Sequence, residues 1–330
     1  MNKTIETLKS LAICLVVIGH SVPGKANEDN TGIVILVEKS IYTFHMPLFM
    51  FLSGYLFVTY SINNTQKYVD SVSFISQKFK RLIIPYLTLG SIGFILKGIV
   101  SNYSYRPIEM SFSFYIHGLF YPLEAAVQMY WFLITLFIIF LFFPIFKKIL
   151  NSDKALLSLM LLTLFFLGNV LNTHNIGFLN ISGVVNYVFY FFSGCMLSRY
   201  YSTFPAKIGK PSILLFFLLM FTISLALFID TDNKIIKIII ALIGICLSFS
   251  IAAWINNNQL NLFSFINGYS YPIFLLSWFV QNPIRVLYQI NILSYYLTIF
   301  LMITLGLFMP IWFSKFIERG FPRVSFIVGR

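Results

Sequence analysis

Charged residues are scarce in this chain. Only 10% of its 330 residues are Asp, Glu, Lys or Arg, whereas a soluble protein carries roughly 25%. That shortage excludes an ordinary soluble fold, and no stretch is polar enough to form a sizeable soluble domain. Cysteine is scarce as well: Cys14, Cys195 and Cys246 all fall inside apolar segments, with no CxxC or Cys/His spacing. Their placement excludes a disulfide framework and a zinc site and leaves them as small packing residues. No low-complexity tract occurs. Lys3 and Lys9 precede an apolar stretch as they do in a signal peptide, but no A-x-A cleavage site follows, so this stretch is expected to be a retained first helix.

Apolar runs take the place of the missing charge. Hydrophobic residues make up 58% of the chain, and the mean hydropathy is +0.83. The runs repeat from end to end, which predicts an all-α polytopic membrane protein forming one domain over residues 1–330. Ten candidate spans are expected, at about 5–22, 41–60, 82–100, 128–147, 155–170, 183–200, 211–229, 235–254, 269–289 and 293–314. Each approaches the ~20 residues that cross a bilayer. Phe51-Leu52-Ser53-Gly54 and Phe191-Phe192-Ser193-Gly194 are similar. They hint at a repeat, but a Ser-Gly pair that lets two helices pack closely is the better explanation.

The net charge of +12 invites a nucleic-acid reading, but the basic residues sit in short loops between apolar runs. With the N-terminus in the cytoplasm, and with Lys97 left out because it lies within the third span, sixteen Lys and Arg fall inside and six outside. The positive-inside rule therefore predicts that both termini are cytoplasmic and accounts for the charge with no nucleic-acid partner. One loop does not conform: 255–268, with its Asn-Asn-Asn-Gln run, should lie inside yet carries no charge. The longest outside stretch, 101–127, includes the aromatic run from Phe112 to Tyr121, expected to be interfacial or re-entrant.

Candidate chemistry begins in the first span. Lys9 and His20 are eleven residues apart, three helical turns with about 20° left over, so both leave one face, separated by about 16 Å along the axis. Ionisable groups are costly in a membrane helix and usually point into a bundle interior to serve a function. The second span returns inward and opens with Tyr42-Thr43-Phe44-His45-Met46-Pro47, which puts His45 near the same outer side as His20. Two imidazoles facing one cavity would supply a general base near neutral pH; a satisfied interfacial histidine is the plainer reading of each. Glu28, Asp29, Glu38 and Glu124 are candidate orienting carboxylates, and Ser21, Ser53 and His45 candidate oxyanion donors. At the inner end of the third span lie Lys78, Lys80 and Arg81. These cations read either as a topology signal or as an anion site, where Arg grips phosphate oxygens bidentately and Lys adds a point charge. Cations inside and histidines outside fit an acyl-CoA whose phosphates stay in the cytoplasm while its pantetheine arm reaches outward.

The chain resembles the acyltransferase-3 family of integral-membrane O-acyltransferases, particularly its fucose-4-O-acetylase-like branch. The resemblance rests on Lys9-x10-His20 with Ser21, on Phe44-His45-Met46-Pro47-Leu48-Phe49-Met50-Phe51-Leu52-Ser53-Gly54, on Lys78-x-x-Arg81-x3-Pro85-Tyr86, on Tyr130-Trp131-Phe132-Leu133, and on Tyr269-Ser270-Tyr271-Pro272 running on to Trp278. It implies about ten spans and transfer of an acyl group, usually from acetyl-CoA, to an extracytoplasmic glycan such as capsule, exopolysaccharide or O-antigen. No metal is implied, and the setting is the bacterial plasma membrane. It implies that His20 is catalytic and that Lys9, Lys78 and Arg81 stand where the family commonly has arginines, keeping the charge but, at Lys9 and Lys78, losing the guanidinium fork. With Lys80 they form the expected CoA-binding set, and His45 joins His20 in the expected catalytic set. A transporter or flippase of a glycan intermediate and an assembly subunit are the rival functions. Acetyl-CoA dependence separates both from the transferase.

Overall fold

The computed structural model describes residues 3–23, 32–62, 71–150, 157, 160–161, 163–165, 176–200 and 208–329, and every regular element among them is helical. We number the main helices α1 (Lys3–Gly19), α2 (Gly32–Phe57), α3 (Ser71–Lys78), α4 (Ile84–Ile99), α5 (Phe112–Phe120), α6 (Trp131–Leu141), α7 (Phe143–Leu150), α8 (Ile181–Tyr200), α9 (Pro211–Phe228), α10 (Lys234–Asn257), α11 (Ser270–Gln289) and α12 (Tyr295–Gly320). Most of the expected span at 155–170 lies outside the described residues, as do Lys25, Glu28, Asp29, Lys67, Lys154, Lys207 and Arg330.

Several boundaries differ from the sequence pattern for identifiable reasons. The apolar stretch Ile33-Val34-Ile35-Leu36-Val37 carries α2 well upstream of residue 41, so Gly32–Tyr60 is one run of 29 residues. A π-type turn, Phe79–Ile83, joins α3 to α4, so the third run begins at Ser71 and places Lys78, Lys80 and Arg81 inside a continuous helix. The fourth span is bent by 58° between Gln128–Leu141 and Phe143–Leu150. Pro144 lies just past this break and has no N–H to offer the carbonyl one turn back. Among the described residues six helices are long and apolar enough to cross a membrane, or seven if the bent pair counts as one. At 17 residues α1 is slightly shorter than these, and α11 carries Gln281, Asn282 and Arg285. α5 has nine residues, about 14 Å of helix, too short to cross.

The chain divides into two compact units, one made of Met1–Val22, Ala26–Asn64 and Phe189–Ser270, the other of Pro23–Lys25, Thr65–Val188 and Tyr271–Arg330. In the first, α10 packs against α1, α2 and α9. Its N-cap Asn233 accepts from the N–H groups of Ile235 and Ile236 at 2.9 and 3.3 Å. Small buried residues, Ala241, Gly244, Ser248, Ala252 and Ala253, recur along its length at helical spacing. The Phe44 ring of α2 fills the notch at Gly244, where a Cβ would collide with it. The two Ser-Gly pairs meet: a Cβ on Gly54 would overlap the Phe191 carbonyl, and one on Gly194 the Phe51 carbonyl. The Cys195 thiol donates to the Gly54 carbonyl at 3.3 Å. This reciprocal approach of two backbones is what small residues at a helix crossing permit. α9 buries only Phe221 and turns Leu215, Phe216, Ile223 and Leu227 outward, a distribution suited to lipid.

In the second unit tyrosines cap backbone carbonyls. Pro85 lacks the N–H that would bond the Arg81 carbonyl one turn earlier, and the Tyr271 hydroxyl donates to that carbonyl instead. Tyr86 donates to the carbonyls of Gly118 and Leu119 at 3.1 and 3.0 Å, holding the end of α5, and Tyr130 donates to Leu275 at 2.5 Å. Buried Lys97 directs its ammonium to the Ala126 carbonyl at 3.2 Å. The closing 3-10 segment, Pro322–Val328, packs on α4 and on the π-type turn.

The Pro85–Tyr271 relation has a measurable consequence. Tyr271→Phe leaves the Arg81 carbonyl without its donor and is expected to cost about 1–3 kcal/mol. In a Pro85→Ala background, where residue 85 regains its N–H, the same substitution is expected to cost less. A double-mutant cycle on thermal unfolding in detergent reads this directly, and additive losses contradict the pairing.

Candidate active site

α1 turns one stripe inward, and that stripe carries Lys9, Ile13, Val16 and His20. Ile13 and Val16 are buried, and Lys9 and His20 are half-buried at either end. The structure thus puts the two ionisable groups on the packed face of α1, as their spacing anticipates.

At the far end of that stripe three rings gather. His20 Nδ1 lies 3.0 Å from the Tyr42 hydroxyl. The His45 ring centroid is 6.2 Å from that of His20 and 4.9 Å from that of Tyr42, all in edge-on arrangements. His45 is buried, at 2% exposure, and its Nδ1 lies 2.9 Å from the Ile41 carbonyl. A carbonyl can only accept, so Nδ1 of His45 carries the proton and Nε2 keeps its lone pair. For His20 the bond to Tyr42 works in either direction. With the proton on Nδ1, imidazole donates to Tyr42, and Nε2 is the basic atom.

The structure therefore brings His20 and His45 together and adds Tyr42, which sequence reasoning passed over. Its signal was present: Glu38, Tyr42 and His45 fall at i, i+4 and i+7, one stripe of α2. Other candidates are placed differently. The Ser21 hydroxyl donates to its own helix at Val17 (2.6 Å) and that of Ser53 to Phe49 (2.8 Å), so neither proton is directed at a reacting oxyanion. Glu124 binds His117 Nε2 at 2.9 Å, with Tyr121 stacked on that imidazole at 4.3 Å.

The remaining cations belong to the second unit. Lys78 is half-buried, its ammonium 4.5 Å from the Phe140 ring centroid and 5.1 Å from that of Phe74. Arg81 is exposed and lies 5.0 Å over Tyr271, the same ring whose hydroxyl caps its carbonyl. Lys80 is exposed. The negative face of an aromatic ring attracts a cation and helps to hold it in place.

Long apolar helices and a histidine cluster on a packed helix face define a multi-pass membrane protein with a site suited to proton transfer. The sequence pattern of the acyltransferase-3 family, described as an acyltransferase domain, matches residues 2–317. The chain belongs to this family and is a membrane acyltransferase. Neither the curated proteins nor the solved structures contain a match to it.

Tyr42→Phe removes only the hydroxyl that faces His20. Loss of a hydrogen bond worth about 1.4 kcal/mol in the transition state lowers kcat about tenfold. Steady-state acyl transfer should show that fall with the donor KM unchanged. A rise in KM with kcat preserved assigns Tyr42 to binding instead.

Proposed function

We propose that the protein is an O-acetyltransferase of the fucose-4-O-acetylase-like branch, moving an acetyl group from cytoplasmic acetyl-CoA to a hydroxyl of a cell-surface or exported glycan. It works as a single membrane domain of about ten spans in the bacterial plasma membrane, with both termini cytoplasmic, and uses no metal. The observation that carries this reading is the His20–Tyr42–His45 cluster at the end of the α1 stripe.

His20 is the general base. With Nδ1–H donating to Tyr42, Nε2 takes the proton of the acceptor hydroxyl as its oxygen attacks the thioester carbonyl. The tetrahedral intermediate collapses by breaking the carbon–sulfur bond. The departing CoA thiolate takes the proton back from His20, leaving the sugar ester. His45, with its lone pair on Nε2, orients the acceptor hydroxyl by accepting a hydrogen bond from it or by sharing the proton. Lys9, Lys78, Lys80 and Arg81 are the anion contacts for the donor's phosphates, Arg81 through its planar fork and the lysines as point charges.

Inside-out membrane vesicles supplied with labelled acetyl-CoA test this. Label is expected in glycan with the wild type and at background with His20→Ala, at equal amounts of protein in the membrane. Equal labelling by His20→Ala removes His20 from the chemistry, and substrate flux without acetyl transfer points to a transporter.

A further inference from the structure

The uncharged loop 255–268 does not fit the expected positive-inside pattern, and its place in the fold is distinctive. It lies against the N-terminal turns of α1 and forms with them an open cavity of about 670 Å³ within the first unit, with Lys3, Gln259, Leu260, Asn261 and Ser264 exposed along it. Small-molecule sites run from about 300 to 1,000 Å³. Two hydrogen bonds tie this region to α1: Ser10 Oγ donates to Asn267 Oδ1 at 2.8 Å, and Asn256, in the last turn of α10, donates through Nδ2 to Thr4 Oγ1 at 3.3 Å. Lys3, Glu6, Asn256, Gln259, Asn261 and Phe263 are among the residues that line it.

That lining selects a ligand class. Lys3 is the one cation of the lining and can meet a single phosphate, such as one on a ribose 3′-oxygen, while Glu6 cancels its charge and makes the cavity poorly suited to a run of phosphates. Its polar surface excludes a lipid tail. Carboxamides present a donor and an acceptor side by side, the arrangement that pairs bidentately with the N6 and N7 edge of adenine. An aromatic face such as Phe263 stacks on a purine, and Glu6 accepts from the one free ribose hydroxyl of a 3′-phosphorylated adenosine, the 2′-OH. Position agrees: from Glu6 to His20 is fourteen residues of α1, about 21 Å, with Lys9 lying between them. An extended acyl-CoA covers that order of length.

We propose that this cavity seats the adenosine end of the acyl-CoA donor. The inference rests on the acyl-CoA reading above and adds to it a recognition site made of neutral amides. It also assigns loop 255–268 to donor selection.

Full-length protein in lipid nanodiscs tests it with two donors, acetyl-CoA and acetyl-pantetheine, which lacks the nucleotide. The wild type is expected to prefer acetyl-CoA in kcat/KM. Asn261→Leu and, separately, Glu6→Gln should each cut that preference about tenfold, the effect of one lost hydrogen bond. Competition by adenosine 3′,5′-bisphosphate should weaken in parallel. A preference that both variants retain, with unchanged competition, overturns this inference alone. Absence of transfer from either donor overturns the acyl-CoA reading and this inference with it. Either variant failing to fold leaves the other to decide.

Discussion

Hydrocarbon offers no hydrogen bonds, so a polar group in an apolar segment is costly unless it finds a partner within the protein; most of those in the described residues do, while the buried hydroxyls of Ser250, Ser277 and Ser314 do not. That constraint shapes the site directly. Buried His45 satisfies Nδ1 on the Ile41 carbonyl, which fixes its tautomer and leaves Nε2 as the basic edge. Serine and threonine hydroxyls turn back on their own helices, as at Ser21, Ser53, Thr59 and Thr88. The carbonyl that Pro85 cannot serve takes the Tyr271 hydroxyl. A ring that donates at one atom and holds a guanidinium over its face links the third apolar run to the opening of α11 without a buried ion pair, whose desolvation would be costly.

Close packing is the second requirement, and it too serves the site. Gly54 and Gly194 let α2 and α8 approach until only hydrogen atoms fit between their backbones, while Phe44 locks α2 into the Gly244 notch of α10. The first contact lies beyond the segment bearing Tyr42 and His45 on α2 and the second within it, so both anchor the helix that presents these two rings to α1. The ring spacings at His20 thus depend on glycines that touch none of the reacting groups. Dispersion contacts and small residues drive such packing, because lipid tails are as apolar as the side chains they replace.

Much of this was legible in the sequence, and what was missed has physical causes. Hydropathy located the starts of the helices from α8 to α12 to within two residues, three of them marked by Pro211, Asn233 and Ser294, but α12 runs six residues past the expected end at 314. It placed the starts of the second and third runs too late, since Ile33–Val37 and the polar α3 extend helices beyond the most apolar window. The Lys9–His20 face followed from helical geometry alone. His45 came to the same place because two adjacent spans reverse direction. Tyr42 was missed because a tyrosine at a membrane interface reads first as an aromatic belt residue. Ser21 and Ser53 were over-read: in a helix such hydroxyls favour their own backbone. The Tyr271–Arg81 pairing spans 190 positions, and no periodicity in one sequence carries that information. Loop 255–268 was noticed only for the charge it lacks, because the hydrogen bonds of Asn256 and Asn267 to α1 join positions about 250 residues apart.

Sidedness is the most direct test of a donor that enters at one face and reacts near the other. Acetyl-CoA does not cross a sealed bilayer, so it can be offered to each face in turn, using inside-out and right-side-out vesicles of the same preparation. This account predicts glycan acetylation only when acetyl-CoA meets the face that carries the N-terminus, Lys3 and loop 255–268. Equal acetylation from both faces, or acetylation only from the opposite face, would contradict it.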